Sequence, residues 1–110
     1  MADTELQLAG RDRLDAIVAA ELVGMRVDQG PMFSTVGWRS GGRVFAFVGH
    51  GGELILKLPE RRVAELVASD AGSPMTLGTR TMREWVHVAG DIDWAPLVVE
   101  AHAFVAGVPR

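Results

Sequence analysis

Hydrophobic and polar positions change period several times along this chain, and each change marks an element. Leu14, Ile17, Val18 and Leu22 recur at spacings of three and four, with Asp12, Arg13, Asp15 and Glu21 between them. That spacing predicts an amphipathic helix with one buried stripe. Gly24 suits its end. Residues 1–9 read as a loose tail, and Gly30-Pro31 as a turn into a strand region. From residue 32 the pattern shortens to strands over about 32–39, 43–48 and 53–58. They are joined by Ser40-Gly41-Gly42 and by Gly49-His50-Gly51-Gly52. Tight hairpins need positive φ, which glycine supplies.

Pro59 opens a second helix, where a missing N–H is harmless, and Val63, Leu66 and Val67 give it an apolar side. Residues 74–77 and 84–88 predict two further strands around the link Gly78-Thr79-Arg80-Thr81-Met82-Arg83. Asp91 or Asp93 caps a last helix, with Leu97, Val98, Ala101, Phe104 and Val105 as its buried stripe. The predicted fold is α+β in two layers: a five-stranded, mostly antiparallel sheet with helices on one face, in the order α-β-β-β-α-β-β-α. The whole chain, residues 1–110, is one domain.

Side-chain alternation can be followed through the turns. A four-residue loop after Val48 sets Phe47 opposite Leu54 and Ala46 opposite Ile55. Phe45, Phe47, Leu54, Leu56, Leu58, Val36 and Trp38 then lie beneath the helices. The outer face receives Thr35, Gly37, Val44, Ala46, Val48, Ile55 and Lys57, joined by Trp85 and His87. A bulge would flip part of this assignment.

Composition narrows the classes. The chain has 110 residues, 48% hydrophobic and 23% charged, as in an ordinary folded domain. It has no cysteine, which excludes disulfides and thiol catalysis. The acidic start Met-Ala-Asp-Thr-Glu does not resemble a secretory signal, and no apolar run reaches the roughly 20 residues of a membrane span. A cytoplasmic protein without membrane contact is expected. Net charge is -3, which disfavours non-specific nucleic-acid binding as a whole-chain property.

MFSTVGW, GGRVFAFV, LILKLP and EWVHV, followed by W-x-x-L-V-x-E-A-x-x-F-V, together resemble the MmcQ/YjbR-like family from about Met25 to Val105. The chain is also similar to the N-terminal domain of the TfoX competence regulators. The resemblance implies a two-layer fold like that of secretion chaperones, and a DNA-binding or transcription-linked role with no established catalytic site. Lys57 and Trp85 stand at signature positions. Ser34 departs from the glycine common at its place.

Candidate chemistry is sparse. His50, His87 and His102 lack the short spacing of a metal motif, so no metal and no cofactor is expected. The glycine loops precede strands, not helices, and offer no phosphate cradle. Arg39, Arg43, Arg80 and Arg83 flank two hairpins and are the candidate nucleic-acid contacts. The outer face carries the stronger expectation. Val44, Ala46, Val48, Ile55, Lys57, Trp85 and His87 would form a broad apolar patch with polar groups, and such patches mark partner surfaces. A non-enzymatic binding or regulatory module is therefore expected, with a homodimer or protein partner on that face and DNA as the family-implied partner. The alternative is a small-ligand binder or enzyme with a pocket between the sheet and the N-terminal helix.

Overall fold

The stripe of Leu14, Val18 and Leu22 turns one side of a helix toward a sheet. The computed structural model describes residues 2–32 and 35–107. Helix α1 spans Ala2–Glu21; Leu14 and Val18 are buried along it, and Leu22 is buried just past its end. The chain leaves it through Gly24 at φ 77°. Four strands follow, β1 (Asp28–Met32), β2 (Thr35–Ser40), β3 (Arg43–Val48) and β4 (Leu54–Lys57). Helix α2 (Glu60–Ala68) leads to β5 (Gly72–Leu77) and β6 (Arg80–Val88), and α3 (Trp94–Ala106) ends the described chain. The strands form one antiparallel sheet in the order β1-β2-β3-β4-β6-β5.

Among the described residues the sheet thus has six strands, not five, and the element order is α-β-β-β-β-α-β-β-α. The difference lies at Gly30-Pro31, which sits inside edge strand β1 and does not form a turn. A proline is tolerated on an edge strand. Gly30 serves close packing: a Cβ there would lie 2.6 Å from the Arg39 guanidinium. The other edge strand, β5, also carries a proline, Pro74. The link 78–83 is shorter than expected, because Leu77 already pairs with Arg80 across a turn with Gly78 at φ 61°.

Residues 1–9, expected as a loose tail, are helical from Ala2 onward. Periodicity misses this because Leu6 and Leu8 are half-exposed and form no stripe. Close approach to the β3–β4 turn holds the segment instead. A Cβ on Gly10 would lie 2.7 Å from the Gly52 carbonyl oxygen and 2.8 Å from a Val48 methyl. Gln7 Nε2 donates to the Thr35 hydroxyl at 3.3 Å and to the Val48 carbonyl at 3.4 Å.

All three helices pack on one face. Phe45, Leu54, Leu56 and Leu58 are fully buried there, with Leu14 and Val18 from α1, Val63 and Leu66 from α2, and Leu97, Val98 and Ala101 from α3. Polar ties fix the helices. Trp38 Nε1 donates to Asp15 at 2.9 Å, joining β2 to α1. Arg13 lies 3.9 Å over the Trp94 ring, joining α1 to α3. Arg62 reaches Glu100 at 2.7 Å, joining α2 to α3. Asp93 caps α3 by accepting from the Ala95 N–H at 3.1 Å, and Gly107 in the left-handed region ends it. Among the described residues, no helix is long and apolar enough to cross a membrane.

His102 is buried on the core side of α3, edge-on to Phe45 with ring centroids 5.4 Å apart. Burial holds its pKa below the ordinary 6.5.

Two predictions follow from these contacts. Gly10→Ala gains about 1 kcal/mol of helix propensity but forces a methyl against a backbone carbonyl, an overpacking cost of about 1–3 kcal/mol. The net expectation is a loss of about 1 kcal/mol, read from urea unfolding; a stabilised variant would show that α1 does not press on the turn. The second concerns pH. The unfolded chain protonates His102 at a higher pH than the folded one does. Stability is therefore full above 6.5 and declines as pH falls from there toward the lowered folded value. His102→Leu should flatten that part of the melting-temperature profile. Asp28, held below its ordinary 3.8 chiefly by its hydrogen bond to Arg39, acts only in a more acid range.

Candidate functional site on the outer sheet face

Strand β3 departs from simple alternation, and this decides what the outer face contains. Trp38 pairs with Ala46 while the next residue, Arg39, pairs with Val44, so Phe45 is a bulge. The β3–β4 loop runs five residues from Gly49 to Glu53, closed by the Gly49 N–H on the Glu53 carbonyl at 2.9 Å. Val48 therefore pairs with Leu54, Phe47 with Ile55 and Ala46 with Leu56. Each of these β3 residues is one place off the expected register.

The result corrects three positions. Ala46 and Val48, assigned to the outer face from sequence, lie in the helix-side core at 0% and 1% exposure. Phe47 has moved the other way. Val44 is on the outer face because the bulge cancels the slip. Ile55, Lys57, Trp85 and His87 share that face too: Ile55 pairs with His87 and Lys57 with Trp85.

The broad exposed apolar patch expected from sequence is not present in that form. Phe47, Ile55, Met75 and Trp85 form a second buried cluster, no more than 8% exposed, with Met32, Val44 and Met82 packed around it. Every one of these residues comes from a strand. A second irregularity brings Trp85 there: Met75 pairs with Met82 but Pro74 with Val86, leaving Arg83, Glu84 and Trp85 as extra residues in β6. Phe47 and Trp85 meet edge-to-face at 5.6 Å.

Polar groups ring this cluster. At one end Lys57 Nζ lies 5.2 Å from the Trp85 ring centroid and 3.7 Å from Glu84. Two adjoining clefts share Lys57, Glu84 and Trp85. One, of about 560 Å³, adds Arg80, Thr81, Met82 and Arg83. The other, of about 460 Å³, adds Met32, Arg43, Val44, Phe104 and Val105. Arg83 faces Glu60 at 3.7 Å, and Arg43 donates to the Val105 carbonyl at 2.8 Å. Three of the four candidate arginines, Arg43, Arg80 and Arg83, thus gather around Lys57.

Arg39 stands apart. It forms two hydrogen bonds to Asp28, at 3.0 and 2.8 Å, across β1 and β2. That pairing, chiefly through the hydrogen bond to Asp28, raises the Arg39 pKa above its already high ordinary value. At the opposite end of the face, His87 Nδ1 lies 3.8 Å from Glu53, beside His50 and Thr76 in a cleft of about 300 Å³. Among the described residues, no group of three or more His, Cys, Asp or Glu is placed to hold a metal ion. The space between sheet and α1 is filled by Leu14, Val18 and Leu22, so these three clefts open elsewhere.

Sequence reasoning did not single out Phe47, Met75, Met82 or Glu84 for this face. Reading Gly78 as a tight hairpin would have paired the two methionines. The bulges themselves carry no clear local signal in the chain.

Phe47→Ala tests this arrangement. Truncating a buried aromatic costs about 3–5 kcal/mol, whereas a solvent-facing residue changes stability by about 0.5 kcal/mol or less. Urea unfolding should show the larger loss; the smaller would mean that this face has no core of its own. Compared against protein families, characterised proteins and solved structures, the chain matches none.

Proposed function

We propose that this chain is a non-enzymatic binding module that holds nucleic acid at the Lys57–Trp85 end of its outer sheet face. The observation that carries the reading is the convergence of Arg80, Arg83 and Lys57 on one cleft, with Arg43 in the next. These four cations gather in a chain whose net charge is -3. A local positive field suffices to steer a polyanion. The carboxylates nearby offer weak competition. Glu84 and Glu60 stand 3.7 Å from Lys57 and Arg83 in open ion pairs, and such pairs are worth about 0–1 kcal/mol.

Trp85 is 8% exposed and already packed against Phe47 and Lys57. It therefore serves as a wall and not as a base-stacking platform, and phosphate contact supplies the affinity. Self-association through this face is a weaker reading, because Ile55 and Trp85 are already buried within the single chain.

Labelled duplex and single-stranded DNA, followed by fluorescence anisotropy over about 50 to 200 mM salt, test the proposal. Three or four phosphate contacts predict a log–log salt slope of about -3. Arg80→Ala with Arg83→Ala should reduce that slope by about 2. Arg39→Ala should leave it unchanged, since Asp28 neutralises Arg39. Absent binding at the lowest salt, or an affinity indifferent to salt, would sink the reading.

A further inference from the structure

The second cleft differs in character from the first. Its walls are Met32, Val44, Trp85 and Phe104, and its charged groups are Arg43, Lys57 and Glu84. The walls come from β1, β3, β6 and α3, so the cleft sits where the sheet end meets the last turns of α3. Its volume of about 460 Å³ falls within the range of small-molecule sites, which are mostly apolar with a few placed polar groups. Two cations against one carboxylate leave one positive charge unbalanced.

We infer that this cleft binds a small organic acid, with the apolar body against Val44, Trp85 and Phe104 and a single carboxylate between Lys57 and Arg43. The charge count selects a monoanion over a neutral molecule. Lys57 is 32% exposed in its side chain and 3.7 Å from Glu84, loose enough to turn toward a ligand carboxylate. Arg43 is anchored by one N–H on the Val105 carbonyl at 2.8 Å, which orients its guanidinium without neutralising it. A carboxylate there gains charge-assisted hydrogen bonds. The inference shares Lys57 and Arg43 with the nucleic-acid reading but does not require it, because Arg80 and Arg83 do not line this cleft.

Octanoate and octanol serve as probes in calorimetric titration of the full chain. Octanoate should bind one-to-one and raise the melting temperature, and octanol should bind roughly tenfold more weakly or worse. Lys57→Gln and Arg43→Gln should each weaken octanoate by roughly fivefold or more. Arg61→Gln, on the exposed side of α2, should match the parent chain. Melting curves of the same samples report whether each variant is folded, and Val44→Met, which narrows the cleft without removing charge, should also weaken octanoate. Equal affinity for octanol, full octanoate affinity in Lys57→Gln, or no saturation at all would overturn the inference. Because DNA titration reads Arg80 and Arg83 separately, either proposal can fail alone.

Discussion

The central pair β3–β4 is buried on both sides, and the rest of the structure accommodates that demand. Leu54 and Leu56 are fully buried beneath the helices, while Ile55 between them is 4% exposed on the far side. An antiparallel sheet usually leaves one face to water. Here the outer side holds a small core of its own, built from Phe47, Ile55, Met75 and Trp85. Strands must supply its cover, because the helices all contact the other side. The bulge at Phe45 and the irregular stretch in β6 answer this need. Each lets neighbouring residues face the side that requires them, at the expense of regular pairing.

Most elements were legible in the sequence, and the failures share a physical cause. The stripes of Leu14, Val18 and Leu22 and of Leu97, Val98, Ala101 and Val105 are dense enough to override local uncertainty. Asp93 and Gly107 mark the ends of α3 by chemistry that local residues control. What failed depends on partners remote in the chain. Gly30 looks like a turn until Arg39 is seen lying across it. The first nine residues look loose until Gly10 meets Gly52. Parity in β3 failed at Ala46, Phe47 and Val48 because loop length and one bulge shifted it. It held at Val44, where the two shifts cancel.

The candidate site shows the same division. Lys57, Trp85 and His87 were placed on the outer face from parity alone, and they are there. The grouping of Arg43, Arg80 and Arg83 around Lys57 was not legible, since β3, β4 and β6 bring them together from separate stretches. Arg39 looked equivalent to them in sequence. Its difference is the Asp28 carboxylate on the neighbouring strand, eleven residues away, which occupies it on both sides of its fork. Spacing on paper does not separate a cation with a fixed partner from one that is open to exchange.

Pro31 and Pro74 sit in the two outermost strands of the sheet. A ring nitrogen has no hydrogen to offer, so neither border can run an uninterrupted ladder with a strand from another molecule. A strand from another molecule would meet a gap in the ladder at each border. For a chain with β-rich segments and 48% hydrophobic residues, this guards against fibril-like stacking at high concentration.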